Sequence, residues 1–114
     1  MDYSNFSDFE INKLVAKIHL DYEILHPFKN SKSAAVSWGD GANFHKFDPC
    51  NNASDAWAIV LDSKISIEWD VSDDAQSAWW SASDMYHDFN YTHSTNPLRA
   101  AMIVFLMMQE KENG

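Results

Sequence analysis

The segment NPLRAAMIVFLMMQEKE, residues 96–112, constrains the fold more than any other stretch of the chain. Asn96 can cap a helix and Pro97 suits its first position, where the missing N–H costs nothing. From Leu98 to Met108 apolar residues cover nearly the whole circumference of that helix. A helix that is apolar on every side cannot lie on a surface, so the rest of the chain is predicted to wrap around it. Its uncharged run, Ala100 to Met108, is nine residues, far short of the roughly 20 that span a bilayer. Arg99, the chain's only arginine, falls in the first turn. A cation there opposes the helix dipole, so it calls for a carboxylate partner or an anionic ligand.

Elements that can do the wrapping follow from local patterns. Ser7 and Glu10 have the spacing of a capping box, and Phe6 and Ile11 that of a hydrophobic staple. Ile11, Leu14, Val15 and Ile18 then lie on one helical face, which predicts a helix from about Ser7 to Leu20. Tyr22 to Phe28 reads as an edge strand or extended segment ending near Pro27. Ser33 to Trp38 reads as a strand closed by a turn at Gly39-Asp40-Gly41. KISIEWD, residues 64–70, alternates, with Ile65, Ile67 and Trp69 on the inward face. SAWWSAS, residues 77–83, gives it a hairpin partner. Residues 87–95 show no period and read as a loop. The fold class expected is α+β: a small, mainly antiparallel sheet packed on the buried C-terminal helix, with two further helices. At 114 residues the chain fits one domain, spanning 1–114.

The polar stretch HKFDPCNNASDAW, residues 45–57, holds one His, two Asp, a Cys and two Asn. Asp48-Pro49 starts a turn, Asn51 or Asn52 can cap a following helix, and Asp55 suits its first turn. Ala56, Trp57, Ile59 and Val60 supply the apolar side of a helix over about 53–61. The stretch is thus explicable as a turn and cap.

Composition narrows the function classes. Seventeen acidic against eight basic residues give a net charge of −9, which repels phosphate backbones and disfavours direct nucleic-acid binding. One Cys allows no intramolecular disulfide, which suits a reducing cytoplasm. The acidic N-terminus has no apolar run and does not read as a signal peptide.

MDYSNFSDFEINKLVAKI, FDPCNNASDAWAIV, ISIEW and NPLRAAMIVFLMMQEK together resemble the NinX-like proteins of lambdoid phages and prophages. The family pattern carries proline near positions 53 and 58, where this chain has Ala53 and Ala58. The resemblance implies a phage accessory protein in the bacterial cytoplasm and carries no activity with it.

His45, Asp48 and Cys50, with His87, Asp88 and His93, would have to meet in space to hold zinc, and no metal-ligand spacing motif is present. Cys50 reads as a small buried hydrophobe rather than a nucleophile, and Asp73-Asp74 as a solvated hairpin turn. No metal, cofactor or catalytic residue is therefore expected.

What remains is binding. Trp57 and Trp69 read as core. Trp79 and Trp80 are adjacent on a strand and point to opposite faces. Trp38, Trp79 or Trp80, Tyr86, Phe89 and Tyr91 are candidates for an aromatic surface that stacks a base. His45, Asp48, Asn51, Asn52 and Arg99 are candidates for a facing wall that holds a phosphate. The first expectation is therefore an anti-defence protein that sequesters a nucleotide-derived signalling molecule. The second is an acidic inhibitor that covers a basic surface of a host enzyme. A small nucleotide-acting enzyme is third. A nucleotide-like molecule or a host protein is the expected partner, with no membrane and with a homo-oligomeric assembly.

Overall fold

The computed structural model describes residues 2–19, 26–27, 35–40, 43–93 and 95–113, with only the backbone at 26–27, 37–40, 43–45, 93 and 113. Its elements run α1 (Asp8–His19), β1 (His26–Pro27), β2 (Val36–Asp40), β3 (Asn43–Phe47), α2 (Ala53–Ser63), β4 (Ser66–Val71), β5 (Ala78–Ser83), β6 (Asn90–His93) and α3 (Pro97–Asn113). The strands form two antiparallel sheets, ordered β1-β2-β3 and β4-β5-β6.

The apolar helix organises the molecule as its sequence requires. Ala100 through Val104 have no exposed surface, and Phe105 and Leu106 almost none. α3 packs against β5 and β6 on one side and against α1 and α2 on others. One cluster of buried residues gathers Ile11 and Val15 of α1, Val36 of β2, Phe47 of β3, Ile59 of α2, Ala82 of β5 and the core of α3. The chain is thus α+β, with an antiparallel sheet on a buried C-terminal helix and two further helices. Among the described residues no helix is long and apolar enough to cross a membrane.

Local signals set most element ends. Ser7 Oγ accepts the Glu10 N–H, and Glu10 Oε1 accepts the Ser7 N–H, both at 3.1 Å, closing the capping box. α2 is capped by Asn52, whose side chain accepts the Asp55 N–H. It therefore starts at Ala53 without a proline. Its end is a left-handed residue, Lys64, whose N–H reaches the Leu61 carbonyl while the Ile65 N–H reaches that of Val60. That is the Schellman arrangement. Asn96 Oδ1 accepts the Arg99 N–H and caps α3.

Several expectations need correction. Residues 90–93, read as loop, form β6 against β5. β2 runs on through Gly39 and Asp40, so these two are strand rather than turn. Most of the 22–28 segment lies outside the described residues; His26 and Pro27 form β1 at the sheet edge. β3 was not anticipated. The buried face of α1 is centred on Ile11, Asn12, Val15 and Ala16, and it leaves Ile18 at 42% exposed. Neither Trp57 nor Trp69 is core: they are 56% and 53% exposed. α2 buries Ala56, Ile59 and Val60, which turns the neighbouring Trp57 outward at about 100° per residue. Along this face, Ile65 just before β4 is buried and Ile67 packs on the core, whereas Trp69 and Val71 further along are exposed.

Candidate functional site

The candidate residues fall into three groups. Trp38 and His45 are register partners across β2 and β3; their side chains are not among those described. Asp48, Asn51, Asn52 and Arg99 join a polar knot between α1, the 48–52 turn and the start of α3. Trp79, Trp80, Tyr86, Phe89 and Tyr91 belong to β5, β6 and the loop between them.

The knot is built on Asn12, a fully buried amide on α1. Asn12 Nδ2 donates to Asp48 Oδ1 at 2.7 Å, and its Oδ1 accepts the Cys50 N–H at 3.0 Å. Asn51 Nδ2 donates to Asp48 at 3.1 Å and to Asp8 at 3.3 Å. The Asp48 N–H donates to Asp55 Oδ2, and Asn96 Nδ2 donates to the Cys50 carbonyl at 2.9 Å. Arg99 completes it. One terminal nitrogen donates to Asp8 Oδ1 at 2.6 Å, and the other to the carbonyls of Phe6 at 2.5 Å and Tyr3 at 3.3 Å. Arg99 is 8% exposed. Its guanidinium is therefore committed to the N-terminal segment and α1, with a carboxylate answering the adverse dipole. Among the described residues no buried side-chain nitrogen or oxygen lacks a hydrogen-bond partner, so the knot is internally satisfied.

Cys50 sits within this knot with no exposed surface. Burial, and then the carboxylate of Asp8, push its thiol well above the ordinary range, so it stays protonated and is a poor nucleophile. Among the described residues no three His, Cys, Asp or Glu side chains gather as a metal site.

The second sheet presents a different surface. Directly opposed residues share a face, so Ile67, Ala82 and Tyr91 form one row, Trp69 and Trp80 the next, and Val71 and Ala78 the last. The first row packs into the core. The next two run beyond it toward the hairpin tip, with Trp69 and Val71 about half exposed. The Trp69 and Trp80 rings meet edge to face, with centroids 5.0 Å apart. Trp79 lies on the other face, opposite Asp70. Phe89 and Tyr91 pack on the core cluster, whereas Tyr86 is 76% exposed. Asp84 is buried and closes the 84–89 loop: its carboxylate accepts the Phe89 N–H at 2.9 Å, which lowers its pKa.

This sheet carries one sign of charge. From Ile65 to Leu98 the sequence contains neither Lys nor Arg, but it has Glu68, Asp70, Asp73, Asp74, Asp84 and Asp88. Asp73 and Asp74 form the exposed tip, where Asp74 accepts the Ser72 hydroxyl and the Gln76 N–H; both bonds hold its pKa down. Sequence reasoning missed Trp69 and Val71 as surface residues, and Asn12, Asp8 and Asn96 as members of the knot. The basic-free run was the available signal for the sheet. Elsewhere, an open groove of about 300 Å³ on α1 is lined by Phe6, Glu10, Lys13, Leu14 and Lys17, none of them a candidate residue.

The arrangement is that of a satisfied scaffold bearing an acidic, aromatic sheet. A family model described as Bacteriophage P22, NinX matches residues 2–109. The chain belongs to the NinX family. The match takes in the capping box, the polar knot, the hairpin and all but the last residues of α3, so the scaffold and the acidic sheet both lie within the NinX region. No curated protein and no solved structure matches the chain.

Proposed function

We propose that this NinX-family protein is a phage accessory protein that acts in the host cytoplasm by binding, and that it covers a basic surface of a host protein. The observation that carries this reading is the β4-β5-β6 sheet, with six carboxylates, no Lys or Arg in its segment, and exposed Trp69 and Val71. Carboxylates steer a basic partner and set register, and desolvated aromatic rings supply the contact energy. An enzyme whose basic surface grips nucleic acid is the natural target, because the same face that repels phosphate attracts that surface. Counteraction of a host defence enzyme is the corresponding phage role.

Capture from host lysate on wild-type protein tests this, followed by a salt series and competition with DNA or RNA for the captured protein. The partner should elute as exposed charges are screened, within roughly 8–10 Å at moderate ionic strength. It should be lost from an Asp73→Asn/Asp74→Asn/Glu68→Gln variant, and nucleic acid should displace it. Retention that is unchanged in high salt overturns the reading.

The exposed rings of Trp69 and Tyr86 favour a second reading, sequestration of a nucleotide-derived signal by stacking. It must work without Arg99, which Asp8 and two carbonyls already hold, and against the negative sheet. Calorimetry against cyclic and ADP-ribose-type nucleotides decides it: binding supports sequestration, and its absence removes it.

A further inference from the structure

Past the rows that pack on the core, the β4-β5 hairpin carries the Trp69–Trp80 pair, with Trp69 and Val71 exposed. We propose that Trp69 and Trp80 form a receptor for an arginine side chain of the partner, with the carboxylates of the hairpin tip beside it. This rests on the basic-surface reading above and names the chemical group recognised.

Four observations carry the inference. The Trp pair is held in register by β4 and β5, edge to face at 5.0 Å. A ring face of this kind is thereby offered in a fixed orientation, which lowers the ordering cost of stacking a planar group. The two-residue step from Ile67/Ala82 to Trp69/Trp80 leaves the core, and the next step, Val71/Ala78, offers only small or branched side chains. A long side chain can therefore lie along the row without meeting a bulky neighbour at the tip. The tip bears Asp73 and Asp74, and hydrogen bonds from Ser72 and Gln76 keep Asp74 ionised. Finally, the other end of this sheet already pairs a cation with a ring and a carboxylate. Lys111 Nζ lies 5.6 Å from the Phe89 centroid and 3.9 Å from Asp88.

The charge decides between occupants. A second copy would bring the same hairpin-tip carboxylates, Asp73 and Asp74, against this face, and like charges juxtaposed across an interface are costly. A nucleotide phosphate or a nucleic acid meets the same repulsion. A basic protein segment meets attraction. Between the two basic side chains, guanidinium is planar and weakly hydrated and stacks on indole, whereas ammonium keeps its water.

The test uses the full chain with nona-arginine and nona-lysine peptides of equal charge, measured by calorimetry at fixed low salt. Nona-arginine should bind about threefold or more tighter than nona-lysine, the size of an exposed cation–π contact. Trp69→Ala should reduce nona-arginine to the nona-lysine level with an unchanged circular dichroism spectrum. Trp57→Ala, which removes an equally exposed tryptophan on α2, should leave both affinities unchanged. Asp73→Asn/Asp74→Asn should weaken both peptides alike. Equal binding of the two peptides, indifferent to Trp69→Ala, overturns the arginine receptor while the basic-surface reading stands. Failure of both peptides to bind overturns the two together. A concentration-dependent dimer that Trp69→Ala dissolves places a second copy on this face and also overturns the proposal.

Discussion

Arg99 is shared between one carboxylate and two carbonyls, and its removal takes a donor from each. Asp8 keeps about a third of its side-chain surface in water and the Asn51 amide as a donor, so its charge is partly compensated; the Tyr3 carbonyl keeps the Phe6 N–H, and the Phe6 carbonyl loses the donor that Arg99 gave it. Breaking a buried ion pair from one side costs about 3 kcal/mol. Arg99→Ala should therefore lower the thermal midpoint by roughly 10 °C in a domain of this size. Arg99→Lys should recover part of that loss, since an ammonium can meet Asp8 but lacks the planar fork that also serves two carbonyls. Unchanged melting of Arg99→Ala would free this residue for the ligand role that its sequence position also allowed. Cys50 offers a second check at this scale. Its thiol is buried and held protonated, so an aromatic disulfide reagent should label it only after denaturant opens the knot, and rapid labelling of the native protein would contradict the packing.

Helix ends were legible because their causes are local. A Ser and a Glu three residues apart need only each other, so Ser7→Ala should cost about 1 kcal/mol, read as a lower urea midpoint at unchanged slope. Asn96-Pro97 and Asn52 are legible for the same reason. At the other end of α2, Lys64 has φ 56° and ψ 48°, a left-handed conformation that strains any residue with a Cβ. Lys64→Gly should raise stability by about 1 kcal/mol. That expectation discounts the Lys64 Nζ bond to the Leu61 carbonyl, which is exposed and easily replaced by water. Exposure was less legible than element type. Alternation in residues 64–70 correctly assigned Trp69 to the face of Ile65 and Ile67, but a strand's pattern does not say how far its covering helix extends. β6 was illegible for a related reason. Its four residues, Asn90 to His93, pair because the 84–89 loop, closed on Asp84, brings them back beside β5. The candidate site was half legible. The FDPCNN stretch correctly signalled turn and cap, but the buried partner that makes it a knot, Asn12, lies on another element and looks like any polar residue of a helix.

Across the whole molecule, the titrating groups set a pH window and the net charge sets its salt dependence. Asp84, Asp74 and Glu110 are held below their ordinary values, chiefly by the Phe89 N–H, the Ser72 hydroxyl and the Tyr3 hydroxyl respectively. Each takes up a proton more readily when unfolded. Its contribution is therefore present above about pH 4 and lost as pH falls through the folded value. Tyr3 behaves in the opposite way: burial, and then its bond to Glu110, push it up to about 12. Its contribution is complete below about pH 10 and disappears as pH rises through 12. Thermal midpoints should thus form a plateau between roughly pH 5 and 9. Tyr3→Phe should remove part of the alkaline fall and, by taking the phenolic donor from Glu110, part of the acid fall as well. The charge of −9 acts on that plateau. Six of the acidic residues lie on one sheet segment without Lys or Arg, so self-repulsion is concentrated there and is open to screening. Raising salt to roughly half-molar, where the screening length falls to a few Å, should raise the midpoint at pH 7. The increment should shrink as pH approaches the isoelectric value of about 4.7, where net repulsion vanishes. The Asp73→Asn/Asp74→Asn variant, having shed part of the crowded charge, should show a smaller increment at pH 7 than the wild type. A midpoint indifferent to salt at pH 7 would mean that the acidic sheet is not under electrostatic load, and would remove the field on which recognition of a basic partner depends.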